Sequence, residues 1–225
     1  VVSLAKMLGY TPSSVVAPTA IITLTLTNAT GASVTMPAGT AFTTTVDGNA
    51  YNYVTNSDQT IAPQDGVYAF SEVEVFEGTR VTFDYTVDST NEEQRFIVNN
   101  ANADLNTLSV LVQNSSTDTT SFTYKKASSI AGVSATDKVY FCQEVEDGKF
   151  EIYFGDGVTG FKPSDGNIVK LTYIVTNKAA SNGASAFTLS GTVGGFTGTV
   201  TTNSVSSGGT NAENIVSIKL NAPLQ

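Results

Sequence analysis

The residues of this chain best placed to do chemistry are Gly155, Gly157 and Gly160, in Tyr153-Phe154-Gly155-Asp156-Gly157-Val158-Thr159-Gly160, because their spacing is that of a dinucleotide-binding fingerprint. Such a loop holds a pyrophosphate only when a strand leads in and a helix leads out, since the free N–H groups and dipole of the helix start meet the phosphates. A strand is expected over residues 149–154, but Phe161-Lys162-Pro163-Ser164-Asp165-Gly166-Asn167 then passes through turn formers into a second strand at 168–175. Gly155, Asp156, Gly157, Gly160, Pro163 and Gly166 therefore read as the turn formers of a loop between strands, not as nucleotide ligands. Carboxylates offer two further chemistries. Asp47, Asn49, Asp147, Asp156 and Asp165 sit in Asp-Gly or Gly-Asn turns, an oxygen-rich setting for calcium, but none opens the graded ligand series of a calcium loop. Glu72, Glu74, Glu144, Glu146 and Glu151 offer carboxylate pairs for glycoside hydrolysis, and spacing along the chain singles out none of them.

Composition narrows the rest. The 225 residues include no histidine, which removes the usual general base, the Ser-His-Asp and Cys-His arrangements and the commonest metal ligand. The single cysteine, Cys142, lies in the apolar run Val139-Tyr140-Phe141-Cys142, as a small buried hydrophobe rather than a nucleophile. Neither a catalytic residue nor a bound metal or cofactor is expected. A net charge of −9 repels nucleic acid and anionic membranes, and no stretch carries the basic cluster that a phosphate backbone needs. No apolar run is long enough to span a bilayer as a helix. Asn28-Ala29-Thr30 and Asn114-Ser115-Ser116 match glycosylation sequons, which arise by chance in so Thr-, Ser- and Asn-rich a chain.

The elements that must position any site are strands. Only 14% of residues are charged, and Thr, Ser, Asn and Gly stand where Lys and Glu would stand on helices. Ile22, Leu24 and Leu26 alternate with Thr23, Thr25 and Thr27; Val81, Phe83, Tyr85 and Val87 alternate with Arg80, Thr82, Asp84 and Thr86. Turns are expected at Asp47-Gly48, Glu77-Gly78 and Asp147-Gly148, and a linker at residues 90–107. Helical stripes occur at the two ends. Val1, Leu4, Ala5 and Leu8 fall on one helical face before Gly9 and Pro12, and Thr210 with Glu213 has the spacing of a capping box ahead of Ile215, Val216, Ile218 and Leu220. A two-turn helix does not sustain itself, so Val1, Leu4, Ala5 and Leu8 are a candidate subunit interface, and both ends read as cut from a longer polypeptide.

Several pieces together carry a resemblance: Gly155-Asp156-Gly157, Gly160, Pro163, Gly166-Asn167, Tyr173, Thr176-Asn177 and Asn182-Gly183, preceded by Gly9-Tyr10-Thr11-Pro12 and Pro37-Ala38-Gly39-Thr40-Ala41-Phe42 and followed by Asn221-Ala222-Pro223. In this order they resemble the baseplate J-like proteins, and among them the large wedge subunits of contractile-tailed phages of the T-even type. Lys178 departs from that pattern by standing where a glycine usually follows the Thr-Asn pair. The resemblance implies a structural protein of the virion tail baseplate, assembled in the host cytoplasm. Its partners would be a second copy, a different wedge protein, and other baseplate and sheath-proximal proteins, around a hub and rearranging when the sheath contracts. It also implies a mainly β fold of two small antiparallel sandwich- or barrel-like units, the second inserted in the first. The expected division is the end of an N-terminal helix at 1–12, a first β unit at 13–98 and 183–209, an inserted unit at 99–182, and a C-terminal helix at 210–225. A β-sandwich adhesin or receptor-binding module is the alternative that composition leaves open.

Overall fold

In the computed structural model, which describes residues 13–145, 148–213 and 215–221, the alternating segments are strands and form two curled sheets. Alternation is clearest in β1 (Thr19–Leu26), where Ala20, Ile22, Leu24 and Leu26 are buried and the residues between them are partly open. β1 is an inner strand of a six-stranded sheet that runs, in spatial order, β14 (Thr188–Leu189), β3 (Ala41–Val46), β4 (Asn49–Val54), β6 (Ala69–Glu77), β1 and β15 (Gly198–Ser207). Its edges meet where Gly183 N donates to Ser206 O at 2.7 Å and Ser206 N to Ala184 O at 2.8 Å, so the sheet is a nearly closed barrel. Ile22, Leu24, Phe42, Tyr53, Phe70 and Val73 fill it; fully burying a side chain of this size contributes about 1.5–3 kcal/mol. A two-stranded ribbon of β2 (Val34–Met36) and β5 (Gln59–Ile61) adds Val34 and Met36 to the same core.

The second sheet has seven strands in the order β7 (Thr79–Thr86), β13 (Ile168–Val175), β9 (Ala103–Gln113), β10 (Ser121–Lys126), β11 (Val139–Glu144), β12 (Phe150–Phe154) and β8 (Phe96–Val98). Its end strands approach through Tyr85, whose hydroxyl donates to Ile97 O at 2.7 Å and whose ring meets Phe96 edge-on at 5.8 Å. The barrel interior holds Val110, Tyr124, Ile152, Val169, Leu171 and Tyr173. One pairing departs from the antiparallel expectation. β10 and β11 run parallel, matching Lys125 with Val139 and Lys126 with Tyr140, which takes the twelve-residue connection 127–138 to arrange.

Several expectations are corrected. Glu77-Gly78 is not a hairpin turn: β6 pairs with β1 and β4 in one sheet, β7 with β13 in the other, and the dipeptide carries the chain across. Residues 90–107 are not a plain linker, because they hold β8 and the start of β9, and β7 and β8 are the end strands of the second sheet although the expected boundary at 98 put them in the first unit. On β7, Val81 and Tyr85 are partly buried but Phe83 remains 45% exposed, as befits an end strand with a neighbour on one side only. Thr210 does not cap a helix. It bridges Val16 instead, while Glu213 exchanges hydrogen bonds with Ser13, and α1 (Ile215–Asn221) starts only afterwards with Ile218 buried. The stripe of Val1, Leu4, Ala5 and Leu8, together with Glu146, Asp147 and Ala222-Pro223, lies outside the described residues.

Candidate functional site at the junction of the two sheets

The chain passes between the sheets twice, at residues 77–79 and 175–177, and the two passages lie side by side, since Thr79 and Val175 are paired. Glu77 ends β6 opposite Tyr53 of β4, with its side chain fully buried. A buried carboxylate is costly unless donors surround it. Here Glu77 Oε2 accepts from Thr176 Oγ1 at 2.6 Å and from Asn177 N at 2.8 Å, and Oε1 accepts from Asn177 Nδ2 at 2.7 Å. All three donors belong to the returning passage. Gly78 follows at φ +127°, and a Cβ there would stand 2.2 Å from Val175 O, so only glycine lets the passages lie this close. Lys178 N donates to Thr176 Oγ1 at 2.9 Å, completing the turn. Lys178 itself has φ 64°, the left-handed conformation that suits glycine, which gives the departure from the family pattern a physical cost at the same place.

Further buried bonds surround this pair. Tyr53 Oη meets Ser181 Oγ at 2.9 Å and Ser206 Oγ at 2.6 Å and donates to Ser181 O at 3.0 Å, and burial pushes the phenol above its ordinary pKa. Asp104 of β9 accepts from Ala17 N at 2.8 Å and Asn106 N at 2.9 Å; burial raises its pKa, with those two donors opposing. Asn182 exchanges two 3.0 Å bonds with the backbone of Gly209. Chemically, the arrangement immobilises: Glu77 and Asp104 accept from backbone N–H groups and, at Glu77, from two side chains of the returning passage.

The glycine loop lies elsewhere, between β12 and β13. Asp156 Oδ1 accepts from Val158 N at 2.9 Å and Thr159 N at 2.7 Å, which holds its carboxyl below the usual range and occupies the amides that a phosphate would need. Gly155 and Gly160 pack backbone on backbone, a Cβ on Gly155 falling 2.2 Å from Gly160 O. No helix follows. Gly166 N donates to Val87 O, Asp165 accepts from Ser89 N, and Asn167 donates to Asn114 O, so the loop is tied to its surroundings. Pro163 lines a groove beside it with Arg95, Glu151 and Tyr153. There Glu151 Oε2 accepts from Arg95 Nε at 3.0 Å, Arg95 Nη2 at 2.7 Å and Tyr153 Oη at 2.9 Å.

The remaining candidates do not converge. Glu72 and Glu74 lie on β6 in the first sheet, Glu144 and Glu151 on β11 and β12 in the second. Asp47 sits in the β3–β4 hairpin, away from Asp156 and Asp165, and among the described residues no three His, Cys, Asp or Glu side chains form a group able to hold a metal ion. Burial pushes the Cys142 thiol up to about 11, which disfavours the reactive thiolate. Sequence reasoning missed Glu77, Tyr53 and Asp104. The only signal at Glu77 was the glycine after it, which signals a turn and a sheet crossing equally.

Comparison with known proteins bears on the same stretch. Residues 80–186 match the family model described as bacteriophage baseplate wedge protein gp6, third domain. The matched stretch starts one residue into β7 and runs past β13, so it takes in the whole second sheet but for its first residue. Over 216 residues the chain is 27% identical to baseplate wedge protein gp6 of Enterobacteria phage T4, covering 88% of this chain and 32% of that protein. The chain thus spans about a third of that relative's length, and both comparisons support kinship with baseplate wedge proteins.

Proposed function

We propose that this chain is a structural, non-enzymatic part of a phage tail baseplate wedge, one that joins neighbouring subunits and transmits rearrangement when the sheath contracts. The observation that supports this most is the junction: a fully buried Glu77 whose three donors all come from the returning passage ties the two passages between the β units together. The similarity to baseplate wedge gp6 gives that mechanical element its setting. In this reading the partners are a second copy, a different wedge protein and other baseplate and sheath-proximal proteins, arranged around the hub in the virion tail after assembly in the host cytoplasm. Kinship with the baseplate J-like proteins belongs to the same proposal, as does the role of Gly155, Asp156, Gly157, Gly160, Pro163, Gly166 and Asn182 as structural turn residues. Val1, Leu4, Ala5 and Leu8 supply a subunit contact.

Mass spectrometry and electron microscopy of purified tails test the reading. The expected result is the chain, within its full-length polypeptide, in multiples of six around the tail tube. Tails that assemble fully without it overturn the proposal.

A further inference from the structure

On the second barrel a lysine lies against two partly exposed aromatic rings. Lys138 Nζ lies 4.6 Å from the ring centroid of Phe122 and 5.4 Å from that of Phe161, and it makes no ion pair among the described residues. The two aromatic residues are 44% and 40% exposed. Ile130 and Val158, exposed by 65% and 75%, stand on the flanking loops. Those loops are joined by Gly160 N donating to Ser134 O at 3.1 Å and Phe161 N donating to Asp137 O at 2.8 Å, so they lie side by side. The nearby carboxylates are turned onto their own loops: Asp137 accepts from Ser134 N at 2.7 Å and Asp156 from Val158 N and Thr159 N.

We propose that this patch docks an acidic, partly apolar segment of a different protein. Exposed contiguous apolar surface with aromatic residues and few charges is the composition of an interface core. An ammonium lying against two rings keeps an outward face, and a carboxylate arriving there meets an unneutralised charge in a partly desolvated setting. Self-association centred on the lysine is disfavoured by charge. A two-fold contact with its axis at Lys138 would set that lysine against its own copy, whereas an occupant that places a carboxylate there brings the opposite sign. The proposal rests on the assembly reading above and deepens it by naming a surface and the chemistry of its partner.

Photocrosslinking in assembled tails decides it, with p-benzoylphenylalanine replacing Phe161 in the full-length polypeptide. The expected product joins position 161 to a different tail protein, within a segment of net negative charge. Lys138→Glu should lower its yield roughly tenfold or more, while Lys138→Arg keeps it. A product within another copy of this chain, a product on a neutral or basic segment, no product, or indifference to Lys138→Glu each overturns the proposal. Counting the polypeptide in the same tails separates the two readings: its absence defeats both, whereas its presence without the crosslink defeats only the patch.

Discussion

Glu77 shows how a residue without local signature can hold a fold together. Truncating it leaves the buried Thr176 Oγ1 without its acceptor and removes the acceptor of Asn177 N and Asn177 Nδ2, on an exposed residue. Glu77→Ala should therefore cost about 1–3 kcal/mol, read as a lowered denaturation midpoint, and Glu77→Gln a smaller part of that because one amide oxygen still accepts. A loss below about 1 kcal/mol for the alanine variant would show that the junction tolerates an empty acceptor site. Lys178 gives a prediction of the opposite sign. Its φ of 64° is unfavourable for a side chain with a Cβ, so Lys178→Gly should stabilise by about 0.5–1 kcal/mol after the added freedom of the unfolded chain is subtracted. Titration followed by NMR should find Asp104 above the ordinary aspartate value, because of its burial, and Asp88, Asp118, Asp137 and Asp156 below it, because of their local hydrogen bonds. The signs then differ. Asp104 favours the folded state below its unfolded pKa and loses that contribution as pH rises through its folded one, while the four turn aspartates contribute above their unfolded pKa and lose it as pH falls. Of the four, Asp156 was legible in the sequence because its bonds are local and glycine follows it. Glu77, Tyr53 and Asp104 were not, since their partners lie 100, 128 or 153, and 87 residues away.

Strands were the legible elements. The strands expected at 149–154 and 168–175 are β12 and β13 to within a residue, and the alternations that begin at Ile22 and Arg80 fall on β1 and β7, because one buried face imposes that period. What alternation cannot carry is which sheet a strand joins. Glu77-Gly78 looks like a hairpin turn until β6 and β7 are seen to pair with different partners, and residues 90–107 look like a linker because β8 has only three strand residues. The same limit misread Thr210, whose spacing to Glu213 fits a capping box but whose backbone bridges Val16. We propose that the stretch between the two passages is an insertion in the first unit. Replacing residues 80–174 by a short glycine-serine linker should leave a cooperatively melting β protein, since Thr79 and Val175 are already paired neighbours. Loss of the cooperative transition would show that the first barrel depends on the second.

For the whole molecule the expectation is assembly rather than turnover. Leu4→Asp with Leu8→Asp in the full-length protein should impair wedge formation while the circular dichroism of the β units stays unchanged; normal tails from that variant would remove the terminal stripe from the interface. A glycan array separates the adhesin alternative, because a wedge part should bind no sugar by itself. The paired passages have a mechanical consequence as well. Two bodies joined by one strand can swing and twist about it freely, but here residues 77–79 and 175–177 run abreast and are bonded to each other through Glu77. A double strap of this kind bends about one axis and resists rotation about the others, so a pull on either barrel reaches its neighbour with its direction preserved.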